Sequence, residues 1–553
     1  MYPLLFLGKT HATAIRFKNT AHVPSLFSNV HKFYDKIALY DNAGRYSYGN
    51  IIMGATKLSR TISNLLEGRT NERILFLCNN DVNYVITLWA IWMSGQVAVP
   101  LSPLHPESIL EYYTRDVQSK LLLTISQHKE VMGRVSKITN TKLHIIGDQC
   151  DDRDLVKNNR NLEELKDSIS LNFRENENAL ILYTSGTTGH PKGVVLSHTN
   201  LSFQTNCLLR AWRWSSSDVI LHTLPLHHVH GTVNALFCPL TIGATTVMLP
   251  KFSAEDVWSN LLATNKRDGD KNVSVFMAVP TIYSKLIEEY EKKFQDQKDY
   301  IKSRLENLRL MVSGSAPLPV PLYERWREIS GHRLLERYGM TEIGNYDSDR
   351  KPGYVGVPLP GVSVRLSENK DGTYNTLLEC KNDNGTIAFD RKTDEAVTGE
   401  LLVKGDGVFK EYFNRPEATQ KEFIEDSWFK TGDLCEFSPD KIKFRMLGRT
   451  SVDIIKSGGY KISALQVETK LLAHPDIKEC AVVGVSDDVW GEKVAAVIVL
   501  KEGSNLSLND LRKWAKDVMP KYSIPSVAKF VGDIPKNAMG KVNKKELVKS
   551  VFK

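Results

Sequence analysis

One string in the chain has residue types suited to holding an anion, Tyr183-Thr-Ser-Gly-Thr-Thr-Gly-His-Pro-Lys-Gly193. Six consecutive positions, Thr184, Ser185, Gly186, Thr187, Thr188 and Gly189, are hydroxylic or glycine, and His190, Pro191 and Lys192 follow. Glycines let backbone N–H groups approach a phosphate, hydroxyls donate further hydrogen bonds, and the lysine adds charge. A Walker loop ends in Gly-Lys-Ser/Thr, whereas here Gly189 runs into His190 and Pro191. The string therefore predicts a nucleotide polyphosphate site outside the P-loop class. A second string, Leu226-His-His-Val-His-Gly231, raises the question of a metal. Its histidines at 227, 228 and 230 lack a fourth ligand at regular spacing, which argues against zinc.

The elements that must position these residues are legible from apolar periodicity. Arg73–Cys78, Gln96–Pro100, Lys120–Thr124, Ala179–Tyr183 and Ala244–Leu249 read as buried strands, and Asn83–Met93 and Ala254–Thr264 as helices. Phe276–Pro280 and Leu308–Val312 continue the alternation, which predicts an α/β architecture with largely parallel sheets. After about residue 355 the texture turns to short strands such as Gly361–Arg365, Gly399–Lys404 and Lys441–Arg445, a β-rich subdomain. The tail beyond about 450 alternates helical Leu465–Ala473 and Ser507–Val518 with strand-like Glu479–Gly484 and Val494–Leu500. It is long enough for a small α+β domain of its own.

Composition narrows the class. A chain of 553 residues exceeds what one core organises, so two or more domains are expected. With 42% hydrophobic and 25% charged residues it reads as globular. Its longest apolar stretch, Val85 to Leu101, is interrupted by Ser94, Gly95 and Gln96, so no membrane span is expected. A net charge of +8 without a dense Lys/Arg block suits polyanionic small substrates and argues against nucleic acid. Seven scattered cysteines, none in a C-x-x-C pair, fit a reducing compartment. The first 34 residues hold no Asp or Glu but do hold Lys9, Arg16, Lys18 and Lys32. That composition predicts a mitochondrial leader over about 1–25 and a matrix location, with the cytoplasm as the alternative.

From the 183–193 string onward the chain resembles the adenylate-forming superfamily of acyl-CoA synthetases, luciferases and peptide-synthetase adenylation domains. Tyr338-Gly-Met-Thr-Glu342 matches that family's Y-G-x-T-E signature, and Gly314-Ser-Ala-Pro317 its small-residue turn. Thr431-Gly-Asp433, Gly448-Arg449 and Asn537-Ala-Met-Gly-Lys541 match its late motifs in the same order. Taken singly each is an ordinary turn or surface position; their joint order carries the likeness. The resemblance implies a large domain over 26–448 and a mobile cap over 449–553 that hinges within Arg449–Asp453.

It also implies roles. Thr184 to Lys192 would hold the phosphates of ATP, and Glu342 would place Mg²⁺. Gly314, Ser315 and Ala316, with Tyr338, Gly339, Met340 and Thr341, would surround the adenine. Asp433 would bind the ribose hydroxyls, Arg449 would reach the ribose or phosphate, and Lys541 would serve adenylation. His228 would lie near the reacting carboxyl, His230 and Met340 would lie in the acyl pocket, and Ser457, Gly458 and Gly459 would meet coenzyme A. Arg337 stands where many relatives carry a small or neutral residue facing the acyl group. A guanidinium there is costly to desolvate, and a second carboxylate on the substrate would compensate it. Together with Leu226–Gly231 and Gly448–Lys456, this resembles the malonyl-CoA synthetase branch. The expected reaction is ATP-dependent joining of malonate, or methylmalonate, to coenzyme A by a monomer or small homo-oligomer. The alternatives are a ligase for medium-chain or aromatic monocarboxylates and a non-catalytic nucleotide-binding protein on the same fold.

Overall fold

Strand residues sort themselves between two cores by parity. In Arg73–Leu77, Ile74 and Phe76 join the large apolar core while Leu75 and Leu77 face a smaller one. That is the two-residue period of a pleated strand buried on both faces. This computed structural model describes residues 30–147, 177–184, 190–264, 272–342, 344–345, 353–383, 385–391, 395–440, 442–536 and 541–552. The expected leader, Ser185, Gly186, Thr187, Thr188 and Gly189 of the phosphate string, and residues 537–540 lie outside the described residues.

Two seven-stranded, largely parallel sheets form the body. One runs in the order Leu335–Glu336, Leu310–Ser313, Val275–Ala278, Val219–His222, Thr245–Met248, Ile37–Tyr40, Arg45–Ser47. Only its last pair is antiparallel. The other has Val97–Pro100 at its centre, between Asn178–Tyr183 and Arg73–Leu77, all parallel, and Leu121–Ile125 lies beyond Arg73–Leu77. Gly193–Ser197 then returns antiparallel beside Asn178–Tyr183, so the 183–193 string is the connection between two paired strands. Helices Tyr48–Leu65 and Val82–Met93 contribute Ile51, Ile62, Val85 and Trp89 to the large core beside the strands.

A third, antiparallel sheet spans Ser363 to Arg449, and its inward residues Val364, Leu366, Leu401 and Phe437 extend the large core. Beyond it the chain starts a separate apolar cluster at Ile455. There Ile477–Asp487 and Gly491–Leu500 form a long antiparallel pair. Its alternate residues face two clusters, Val482 and Ile498 on one side, Ala481 and Val497 on the other. Each expected strand is present to within a few residues. The expected helix 254–264 stops at Leu261, three residues early, where Ala263 takes a left-handed φ of 56°. Ser507 is the N-cap of Leu508–Ala515, its side chain accepting from Asp510 N. Among the described residues no helix is long and apolar enough to cross a membrane.

Candidate active site

Parallel strands aim their carboxyl ends at a common crevice. Here Asn178–Tyr183, Leu310–Ser313 and Leu335–Glu336 all deliver chain into a cavity of about 2260 Å³ that the tail domain also walls. Thr184, Lys192, Ser315 and Ala316 line it, as do Arg337 through Glu342. His228, His230, Asp433 and Arg449 face the same space, and Lys541 enters it from the tail domain. His190, Pro191, Gly314, Ser457, Gly458 and Gly459 are not on its wall.

At one end stands a cluster around Glu342. The Thr184 N–H donates to Lys192 O at 3.0 Å, closing the neck of the phosphate string. The Lys192 ammonium lies 3.8 Å above the centroid of Tyr412 and 3.5 Å from a Glu422 carboxylate oxygen. The Tyr412 hydroxyl donates to Glu342 Oε1 at 3.1 Å, so one ring links a cation on its face to a carboxylate at its edge. Burial raises the Glu342 pKa above the ordinary carboxylate range, opposed by Tyr412, Arg449 and Lys192. Sequence reasoning missed Tyr412; its strand, Glu411–Tyr412, reaches this place by pairing with Gly193–Ser197.

In the middle, Asp433 is the acceptor on which several groups converge. Tyr338 OH donates to Oδ2 at 2.5 Å and Arg449 Nε to Oδ1 at 3.1 Å. Asp433 and Arg449 face each other across antiparallel strands Trp428–Ser438 and Lys443–Arg449. Burial lifts the Asp433 pKa, while Arg449 and Tyr338 pull it back. Lys541 opens onto the cleft yet is surrounded by protein, and its pKa is lowered by burial first and then by Arg449. Asp433, Arg337 and Glu342 all act on that ammonium. Three residues on, Lys544 is held by Asp453 at 2.6 Å and Glu468 at 2.8 Å. Asp453 also accepts from the Arg449 N–H at 3.0 Å, so the segment that carries Lys541 and Lys544 is tied to the 449–453 turn.

The far end is polar where an alkyl pocket would be apolar. Arg337 and His230 are buried, 5% and 3% exposed. Ser315 Oγ accepts from Arg337 Nη2 at 3.3 Å and lies 3.1 Å from His230 Nδ1. Ser315 holds a left-handed φ of 69°, a conformation serine adopts at a cost of about 1–3 kcal/mol. Arg337 Nε and His230 Nε2 have no hydrogen-bond partner among the described residues. Nor does Arg337 form an ion pair there: its neighbour Glu336 accepts instead from Leu318 N at 3.4 Å and Gly353 N at 3.1 Å. Desolvation lowers the Arg337 pKa to about 9. Burial, then Lys541 and His105, brings His228 to about 3, and burial, then Arg337, lowers His230 far below the usual histidine range. Both imidazoles are neutral near pH 7. His230 opens a π-helical segment, His230–Phe237, that runs into the short helix Cys238–Ile242.

Gly314 is buried beneath Arg337 rather than on the cleft wall, where the adenine was expected to pass. Ser457–Gly459 form the tip of the hairpin joining Ile454–Ser457 to Tyr460–Ser463, and the ring of Trp490 lies 2.7 Å from where a Gly458 Cβ would stand. The structure does not bring that tip into the cavity with the other candidate residues.

A two-sheet α/β body and a small sheet domain meeting over clustered lysine, arginine and carboxylate groups define an adenylate-forming enzyme. The chain belongs to the AMP-binding enzyme family, whose model matches residues 26–413, with the AMP-binding enzyme C-terminal domain matching 466–541. Among curated relatives it is 45% identical to the mouse mitochondrial malonate–CoA ligase ACSF3 over 537 residues, 94% of this chain and 89% of that protein. Among solved structures it is similar to ATP-bound MatB from Rhodopseudomonas palustris, with a TM-score of 0.79 at 28% identity over 95% of this chain and 98% of that one. A malonyl-CoA ligase ternary product complex with methylmalonyl-CoA and AMP bound gives a TM-score of 0.60 at 30% identity, covering 91% of this chain and 97% of that one.

Proposed function

We propose that the protein is an ATP-dependent acid–CoA ligase whose acid is malonate. One malonate oxygen attacks the α-phosphate of ATP, pyrophosphate leaves, and a malonyl-adenylate forms. The coenzyme A thiol then gives up its proton, attacks the acyl carbon and expels AMP, leaving malonyl-CoA. The observation that carries the choice of acid is the far end of the cavity. A buried guanidinium there has no carboxylate partner among the described residues, and an unpartnered imidazole nitrogen stands beside it. A second carboxylate satisfies that pair, while a methyl end leaves both donors desolvated. Holding the distal carboxylate on Arg337 and His230 fixes the proximal one for attack, so binding energy is spent on orientation.

The remaining roles follow the chemistry of each group. The Thr184–Lys192 connection would receive the β- and γ-phosphates, and Asp433 with Arg449 the ribose. Tyr338 to Thr341 with Ser315 and Ala316 would border the base. Lys541 would neutralise charge gathering at the α-phosphate, and neutral His228 would steady the attacking carboxylate. Mg²⁺ needs few protein carboxylates when phosphate oxygens and water complete its shell. Glu342 with its Tyr412 support fits that requirement, and the ion would offset charge on the phosphates. Residues 26–448 form the body and 449–553 the cap in this reading. The cap turns about 449–453 to present Ser457–Gly459 to coenzyme A. Methylmalonate is a second substrate, as the relative's methylmalonyl-CoA complex suggests. The acid-poor start of the chain and the mitochondrial relatives favour the matrix, with the enzyme acting as a monomer or small homo-oligomer.

The test is a panel of malonate, methylmalonate, succinate, butyrate, octanoate and benzoate with Mg·ATP and coenzyme A, followed by AMP release. Malonate is expected to show the highest kcat/KM. A monocarboxylate that outruns it overturns the assignment.

A further inference from the structure

Gly314 has no evident reason to be glycine on its own account. Its φ lies outside the left-handed range, so its backbone conformation is open to any residue. It is buried and off the cavity wall, so it does not clear space for a nucleotide directly. The three atoms nearest to where a Cβ would stand all belong to one side chain: Arg337 Nε at 2.5 Å, Cγ at 2.9 Å and Cζ at 3.0 Å. The missing methyl is therefore room for that arginine.

We propose that Gly314 is a specificity-determining residue. It is the seat on which Arg337 lies, and its bare Cα aims the guanidinium at the distal carboxylate of the acid. This rests on the reading that Arg337 receives that carboxylate. Because Cγ as well as Nε and Cζ is in contact, a methyl at 314 displaces the side chain from near its root, not only at its flexible end. Arg337 is also held by Ser315, whose hydroxyl accepts from Nη2, so the displaced group loses that anchor and its direction together. Recognition of one carboxylate by a planar fork depends on angle as much as on charge. The substrate that suffers is the dicarboxylate.

The experiment compares the full-length enzyme with its Gly314→Ala, Arg337→Ala and doubly substituted forms, using malonate and butyrate as acids. For Gly314→Ala, kcat/KM for malonate is expected to fall about 10- to 100-fold, mainly through KM. The KM for ATP and kcat/KM for butyrate are expected to stay within about threefold. In the Arg337→Ala background, adding Gly314→Ala should cost less than about twofold, because the atoms the methyl meets are gone. If Arg337→Ala lowers malonate and butyrate use alike, the reading of Arg337 falls. If Arg337→Ala is selective but Gly314→Ala spares malonate, or raises the KM for ATP as much as that for malonate, the inference about Gly314 falls alone. Should Gly314→Ala fail to fold, thermal unfolding of the double variant decides. Recovery of a wild-type-like transition supports the seat, and continued failure shows that Gly314 serves something other than Arg337.

Discussion

Replacing Arg337 by methionine should move stability and activity in opposite directions. The side chain is 5% exposed, and without acid its only hydrogen bond to another side chain among the described residues goes to Ser315. A guanidinium held near 9, well below its ordinary value, destabilises the fold by an amount on the order of 5 kcal/mol at neutral pH. The sign follows from protonation. Below about 9 the group is charged in both the folded and unfolded chains, so the penalty is present in full. It lifts only as pH rises from there toward the ordinary guanidinium range. Water in the cleft recovers part of the cost, and exchanging a buried ion for an apolar side chain of similar volume gains about 1–4 kcal/mol in practice. Arg337→Met is therefore expected to unfold at higher denaturant or temperature than the parent when no substrate is present. With malonate the balance reverses. Breaking a buried charge pair costs about 3–5 kcal/mol, which is about 2×10²- to 5×10³-fold in kcat/KM. Butyrate, which never met the guanidinium, should change by less than about threefold. The assays are chemical denaturation of the free enzyme and AMP release with each acid. A variant that is less stable than the parent and equally slow on both acids would refute the reasoning, because Arg337 would then be a structural residue.

Tyr412→Phe keeps the ring beneath Lys192 and removes the hydrogen bond to Glu342; the Mg²⁺ concentration for half-maximal rate should rise about three- to tenfold. The KM for malonate should not move, and a magnesium titration on parent and variant reads both. Lys541→Ala should slow pyrophosphate release by at least about 100-fold. Transfer of preformed malonyl-adenylate to coenzyme A should slow by less than about tenfold, and equal losses in the two half-reactions would contradict the role given to Lys541. His198 is held down to about 4 by burial, so it is neutral in the fold while the unfolded chain titrates near 6.5. Its stabilising share is complete above 6.5 and declines as pH falls toward 4. Between pH 6.5 and 5.5 His198→Gln should reduce the measured fall in unfolding free energy by about 1 kcal/mol, and an unchanged pH profile would contradict the burial argument.

What the sequence disclosed was periodic or local. The alternation in Arg73–Leu77 is visible because a strand buried on two faces has to be apolar at every position, and its parity then assigns the faces. The change of texture after 355 is visible because antiparallel strands need turns at short intervals. Arg337 drew notice because a charge sits where an apolar pocket was expected. Tyr412 could not be found that way. It stands 70 residues from Glu342 in the chain, and only the pairing of its two-residue strand with Gly193–Ser197 brings the two together. Ser315 in its left-handed conformation and Gly314 under the guanidinium depend on packing between the turn after Leu310–Ser313 and the strand beside it. The resemblance had placed both beside the nucleotide. Ser457–Gly459 were expected at the site from resemblance, but their place away from the cavity reflects where the C-terminal domain sits, which no local pattern records.

The π-helical winding of His230–Phe237 bears on how this protein can change over generations. Each of its turns takes in one residue more than an α-helix would, so the segment carries slack that a one-codon deletion could remove. The helix would tighten without unravelling, and a lost residue rotates everything on one side of it by about 100°. His222 grips the carbonyl of Gly231 on one side and the short buried helix Cys238–Ile242 anchors the other. The imidazole of His230 and that anchor would then fall out of phase. Gly231 within it has no room for a side chain, since a Cβ there would run into the Pro225 carbonyl oxygen. A change in its length would part the His230 imidazole from Ser315 Oγ.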